Sequence, residues 1–282
     1  MATCTDRNDL SKVPPRLLLI GGNNNFGLNS QSWLLDSSPK LSEFCRIPKQ
    51  HRYKFSSFCK TPEGFAVTGG EGSDDAVMYV AESNKWKQLT RLLEQRCCHG
   101  SIFLKNLVFV FGGWVNPRYS GSVQYLDESG SWQVAPAIPQ GVRFPEVVKT
   151  DDDGVFLLDP WYRNELFRMD FETKLWVRKA ALTGGLSEGA RMTCVNGKLC
   201  VAGGVKNILA WYTPSTDTWA HGVKLQLRHY FGAVMHQNNT ILVVGGEDQK
   251  KVESYDLDTG VWSVCNWEMP ERLINLHGLM ID

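Results

Sequence analysis

Six arginines stand at matching places along the chain: Arg52, Arg96, Arg143, Arg191, Arg228 and Arg272. A guanidinium is a planar fork of N–H donors that matches a carboxylate or a backbone carbonyl. Two further stretches mix aromatic and cationic residues, Trp114 with Arg118 and Tyr119, and Trp161 with Tyr162 and Arg163. That mixture suits the capture of another polypeptide, because aromatic rings and arginine dominate binding hot spots. Groups for bond-making chemistry are not in working patterns. The histidines His51, His99, His221, His229, His236 and His277 lack metal-ligand spacing such as His-x-x-x-His. No phosphate-cradling loop, nucleophile elbow or Cys/His nucleophile motif occurs. The acidic runs Asp74-Asp75 and Asp151-Asp152-Asp153 read as solvated turns. No enzymatic activity, cofactor or metal is expected.

The elements that position the arginines repeat. A Gly-Gly pair ends an apolar run at Gly21-Gly22, Gly69-Gly70, Gly112-Gly113, Gly203-Gly204 and Gly245-Gly246. Tryptophans at Trp86, Trp132, Trp176, Trp219 and Trp262 keep the same beat of 46, 44, 43 and 43 residues. A tyrosine precedes the tryptophan by seven residues at Tyr79, Tyr125, Tyr212 and Tyr255. Residues 96–136 give the clearest unit: two apolar strands, GSIFL and LVFVFGG, then an alternating strand around Tyr125, then a strand opened by Trp132. Four short antiparallel strands make a small sheet that cannot bury both faces alone, so neighbours must stack. Radial stacking gives a β-propeller, an all-β ring with short, protected edges.

The Gly-Gly, Tyr, Trp order resembles the kelch repeat, over roughly residues 16–282. Six blades are expected at about 16–48, 49–95, 96–141, 142–186, 187–224 and 225–270, after a flexible polar lead over 1–15. The first unit lacks its leading strand, and LHGLMI at 276–281 supplies one at the other end. The segment is expected to pair with 17–22 and close the ring, as kelch propellers are known to do. Two units depart from the pattern. The first places Leu34 and Leu41 where Tyr and Trp would sit, and the fourth replaces Gly-Gly with Asp159-Pro160. Proline fixes its own φ and extends the residue before it, so that loop must take another path.

Net charge is zero, from 30 basic and 30 acidic residues, which gives no reason to expect nucleic acid or an anionic membrane as partner. No apolar run is long enough for a membrane span. The eight cysteines form no Cys-x-x-Cys pair, and several fall in strands, which indicates free thiols in a reducing compartment, cytoplasmic or also nuclear. Cys97-Cys98 is unusual, adjacent thiols beside Arg96.

Within a blade, the loop before the first strand and the loop after the second emerge on one rim, because antiparallel strands start where their partners end. All six arginines belong to the first loop set. The second set contributes Asn23, Trp114, Arg118, Tyr119, Trp161, Tyr162, Arg163 and Lys206. Together they form the candidate partner-binding face, for a short and partly acidic peptide or loop. The resemblance extends to the substrate-recognition domains of BTB–kelch proteins, which serve cullin-3 ubiquitin ligases. It implies a monomeric propeller working as a substrate adaptor, with cullin-3 engaged through a BTB domain that is not in this chain. Alternative readings are an actin-binding cytoskeletal kelch protein and, further off, a sugar- or metal-dependent propeller enzyme.

Overall fold

The computed structural model describes residues 17–24, 27–28, 31–35, 41–152, 154–161, 164–170, 173–185 and 187–280. The polar lead at 1–15, together with Tyr162 and Arg163, lies outside these.

Six antiparallel blades form a ring, five of them four-stranded and the first carrying the two-residue strand Gly27–Leu28 as a fifth. Blade 2 runs Ser57–Thr61, Gly64–Thr68, Ala76–Val80 and Lys85–Gln88, and blade 3 runs Gly100–Leu104, Leu107–Phe111, Val123–Leu126 and Trp132–Ala135. Blade 4 is Glu146–Lys149, Val155–Asp159, Glu165–Asp170 and Leu175–Lys179, and blade 5 is Ala190–Val195, Lys198–Gly203, Ile208–Thr213 and Thr218–His221. Blade 6 is Ala233–Gln237, Thr240–Val244, Lys251–Asp256 and Val261–Glu268. The innermost strand of each blade touches the innermost strand of the next, round to the start.

Blade 1 joins the two ends of the chain. Leu17–Asn24, Gln31–Leu35 and Leu41–Arg46 take Ile274–Met280 as their innermost strand. The expected pairing of the two ends is present, and its register runs from Leu17 opposite Met280 to Asn23 opposite Ile274, so the closing strand starts two residues earlier than the sequence suggests.

The apolar core is divided among the seams of the ring. Phe65, Val67 and Tyr79 of blade 2 pack on Leu18 and Ile20 of blade 1. Phe156 and Leu158 of blade 4 pack on Met192, Val201 and Tyr212 of blade 5. Leu17 and Leu19 meet Met235 and Leu242 of blade 6 across the closing seam.

Each periodic tryptophan has a polar task at a seam. The indole Nε1 of Trp86 donates to Arg46 O at 3.1 Å, Trp132 to Thr90 O at 2.7 Å, and Trp176 to Pro136 O at 3.0 Å. Trp219 donates to Ala180 O at 2.7 Å and Trp262 to Val223 O at 2.9 Å. Every acceptor sits about one repeat earlier, at the end of the preceding blade. The tryptophan beat is therefore the interval between seams.

The second glycine of the pair reaches forward instead. Gly70 N donates to Arg96 O at 2.8 Å and Gly113 N to Val142 O at 3.0 Å. At Gly113, with φ +88, a Cβ would stand 2.4 Å from Cys97 O, so no side chain fits.

Two blades depart from the common register between their outer strands. In blade 3 the residue opposite Trp132 is Leu126, and Tyr125 lies opposite Gln133. A one-residue slip moves a side chain to the other sheet face. Tyr125 accordingly stacks on Phe109, while Tyr79, Tyr212 and Tyr255 meet their tryptophans at 5.0–5.4 Å. In blade 1, Leu35 rather than Leu34 lies opposite Leu41.

Candidate functional site

The two loop sets do share one rim. In blade 2, Glu71 N donates to Lys54 O at 2.8 Å, and in blade 6, Glu247 N donates to Tyr230 O at 2.9 Å. In blade 3, Cys97 and Trp114 exchange backbone hydrogen bonds of 2.7 and 3.2 Å. Trp114–Val115 and Arg118–Tyr119 then form a small hairpin that stands on the rim.

The arginines do not form one free ring of charge. Arg96 is 1% exposed. It donates to Gly112 O at 3.0 Å and Ser122 Oγ at 2.8 Å, and pairs with Glu94. Burial lowers its pKa from the usual arginine range, and Glu94 opposes that fall. Arg191 is also buried and crosses the ring. It reaches Glu146 in blade 4 at 2.7 Å, Gly232 O before blade 6 at 2.9 Å, and Asn275 in blade 1 at 3.0 Å. Arg52 donates through Nε to Ile47 O at 2.7 Å. These three side chains are struts of the rim, because the hydrogen bonds they make go to the fold itself, although Arg96 Nε, like Arg143 Nε, is buried without an acceptor. Arg228 is exposed and pairs with Asp248 at 3.1 Å, over the Tyr230 ring. Arg272, Arg118 and Lys206 are exposed. Asn23 lies in the blade 1 strand, opposite Leu28 and Ile274.

Arg143 differs from all of these. Its guanidinium carbon stands 3.7 Å from the centroid of Trp161, 5.4 Å from Tyr119 and 5.6 Å from Phe144. Tyr119 in turn meets Trp114 edge-on at 5.0 Å. Trp114, at 36% exposed, presents the outermost face of this box. The Nε of Arg143 and the Nε1 of Trp161 are both buried without an acceptor. A buried donor left unpaired costs roughly 1–3 kcal/mol, so such a group calls for a reason. The Trp161 backbone N–H is held by Asp159 Oδ1 at 3.2 Å. The Asp159-Pro160 break thus steers blade 4's loop so that Trp161 covers Arg143.

Sequence reasoning missed a second feature at the centre of this rim. Just before the innermost strands stand Phe55, Cys98, Phe144 and Phe231, and Asn275 is the second residue of the closing strand; each has φ between 46° and 59°. Their backbones are linked in series: Cys98 N to Phe55 O at 3.0 Å, Phe144 N to Cys98 O at 2.9 Å, and Leu276 N to Phe231 O at 3.4 Å. Phe144 meets Phe55 at 5.4 Å and Phe231 at 5.1 Å. Phenylalanines from blades 2, 4 and 6 therefore meet across the ring axis and cover this mouth of the channel.

Beneath them lies a cavity of about 310 Å³ whose lining includes Ser57, His99, Ser101, Glu146, Arg191 and His277. Burial holds both histidines well below the ordinary pKa of 6.5, with nearby Arg96 adding to the effect on His99 and Arg191 on His277. Among the described residues, no group of three or more His, Cys, Asp or Glu side chains could hold a metal ion.

The kelch motif matches residues 95–138, which contain blade 3 and its rim hairpin. The ring is a kelch-repeat β-propeller. Kelch-like protein 35 of Mus musculus is 22% identical over 287 residues, covering 96% of this chain and 48% of that protein. The chain thus spans about half the length of this curated relative. The solved structure of YjhT superposes with a TM-score of 0.69 at 15% identity, over 84% of this chain and 91% of that one, and supports the propeller fold.

Within the kelch propeller, the sequence-derived binding set divides into two. Arg96 and Arg191 are buried in the rim and Arg52 is tied to it, whereas Trp114, Arg118, Tyr119, Arg143 and Trp161 come together across blades 3 and 4. Lys206, Arg228 and Arg272 stand on other blades. Asn164, in the same blade 4 loop as Trp161, is buried, and its amide donates to Leu182 O and Gly185 O.

Proposed function

We propose that this propeller recognises a partly acidic segment of a partner protein at the aromatic–arginine box of blades 3 and 4. The observation that carries the reading is Arg143. Its charge is walled by Trp161, Tyr119 and Phe144, and its Nε lacks an acceptor. A carboxylate or carbonyl is the group that satisfies it. The exposed Trp114 edge and Arg118 give that segment apolar contact and a second cation.

We further propose that the module is the substrate-recognition part of a cullin-3 ubiquitin ligase adaptor. This rests on the likeness to Kelch-like protein 35, which reaches across most of this chain and about half of that protein. Free thiols at every described cysteine favour a reducing compartment, cytoplasmic or nuclear.

Crosslinking and mass spectrometry of proteins captured from cell extract test the recognition reading. The wild-type propeller is expected to retain partners that Arg143→Ala loses, with capture weakening as salt rises. Partners captured equally by both, at all salt concentrations, contradict it. Co-precipitation of cullin-3 with the full-length gene product tests the adaptor reading separately. Its absence, together with co-sedimentation on actin filaments, favours a cytoskeletal role.

A further inference from the structure

Cys97 and Cys98 are neighbours in sequence, and their Sγ atoms stand 3.7 Å apart. Adjacent side chains on an extended strand point to opposite faces. Here Cys98 has φ +56, a left-handed conformation, and its thiol turns back beside that of Cys97. Both side chains are 8% exposed and sit in the rim cluster with Phe144 and Phe231. The other described cysteines are Cys45, Cys59, Cys194, Cys200 and Cys265. Burial pushes the thiols of Cys45 and Cys59 up to about 11 and about 12. Cys97 moves in the opposite direction, because Cys98 hydrogen-bonds to its sulfur. Cys98 moves up, because its hydrogen bond to Cys97 and its burial both hold the proton; Arg143 opposes that rise at Cys98, and Glu71 opposes a thiolate on either sulfur.

We infer that Cys97-Cys98 is a reversible two-electron oxidation site, forming a vicinal disulfide with hydrogen peroxide as the oxidant. The Cys97 thiolate attacks one peroxide oxygen, the O–O bond breaks, and hydroxide leaves. The product is a sulfenic acid on Cys97. The Cys98 sulfur then attacks Cys97 Sγ, the S–O bond breaks, and the Cys98 proton leaves with the hydroxyl as water. Two thiols lose two electrons in all, and one peroxide is reduced to two waters. Consecutive Cα atoms are about 3.8 Å apart, shorter than the usual 4.4–6.8 Å across a disulfide. The closed ring is therefore strained, and strained disulfides are readily reduced.

The site is wired to the recognition rim. Cys97 holds Trp114 by two backbone bonds, and Cys98 O accepts from Phe144 N, next to Arg143. Drawing the sulfurs to bonding distance must displace one of these links. This consequence rests on the recognition reading; the oxidation chemistry does not.

The test is peptide mass mapping of the folded propeller after dilute hydrogen peroxide, with free thiols then blocked by iodoacetamide. The expected product is a single peptide holding both residues, lighter by two hydrogen masses, unalkylated and restored by dithiothreitol. Cys97→Ser and Cys98→Ser are expected to abolish that species and give sulfinic acid or a mixed adduct on the remaining sulfur. Cys59→Ser is expected to leave it unchanged. Alkylation of both cysteines after peroxide, independent oxidation of each, or a disulfide-linked dimer would overturn the proposal. If the disulfide forms but partner capture does not change, the coupling to the rim fails and the site itself stands.

Discussion

The guanidinium of Arg143 lies over the indole of Trp161, 3.7 Å from its centroid, and joins blade 4's first loop to its second. Arginine supplies the charge and tryptophan the desolvation, and the irregular Asp159-Pro160 turn brings them together. A contact of this kind contributes about 0.5–2 kcal/mol. Arg143→Ala is expected to lower stability by no more than that in urea titration. A larger loss would show that the pair is a structural keystone rather than a surface for a partner.

Tryptophan staples are expected to matter more. Trp219→Phe keeps a ring but removes the donor to Ala180 O. An acceptor left unpaired at a seam costs roughly 1–3 kcal/mol, and the lost ring volume adds to it. Urea midpoints for Trp219→Phe and Trp262→Phe should fall to similar extents, since both indoles do the same task.

Two glycines separate backbone strain from crowding. Gly130 has φ +80 with nothing within 4 Å of an added Cβ, while Gly113 has φ +88 and Cys97 O at 2.4 Å. Gly130→Ala is expected to cost about 1–2 kcal/mol from the left-handed conformation alone. Gly113→Ala adds overpacking of roughly 1–3 kcal/mol. Thermal melts of the two variants should differ clearly, and equal melting temperatures would refute the close approach of the two rim loops of blade 3.

The pH dependence has a definite sign. His99 is buried, bonded to Thr68 at 3.0 Å, and held neutral well below the ordinary value of 6.5. The unfolded chain therefore binds the proton first. This contribution to stability is complete above about pH 6.5 and is lost as pH falls below it, by up to about 1.4 kcal/mol per unit. Asp127, Asp152 and Asp217 have lowered carboxyl pKa values, so their contributions fade only in more acid solution. Urea titrations from pH 7.5 to about 5 should show a falling stability that is shallower in His99→Gln. An unchanged slope in that variant would assign the dependence elsewhere.

The fold was legible because its two strongest signals each report a seam. The indole must find a carbonyl one blade back, and Gly-Gly must admit the next blade's loop, so both recur at the period of the ring. Blade 3 shows where spacing alone misleads. Tyr125 keeps the seven-residue interval to Trp132, yet a turn one residue longer than in blades 2, 5 and 6 shifts the register and puts Leu126 opposite the tryptophan. The site was only partly legible. Arg96 and Arg143 look alike in sequence, and whether a guanidinium is buried among carbonyls or stacked on rings depends on residues from other blades. The plug of Phe55, Phe144 and Phe231 follows Arg52, Arg143 and Arg228 by one to three residues. That variable offset hides a feature defined by backbone conformation.

The most direct test of the recognition claim is selection of a phage-displayed random peptide library on the immobilised propeller, followed by titration of the selected peptides against wild type and Arg143→Ala. Asp- or Glu-bearing peptides that bind the variant about 10–100-fold more weakly, the loss expected for one charge-assisted hydrogen bond, are the predicted result. Selected peptides without acidic residues, or with equal affinity for both proteins, would contradict it.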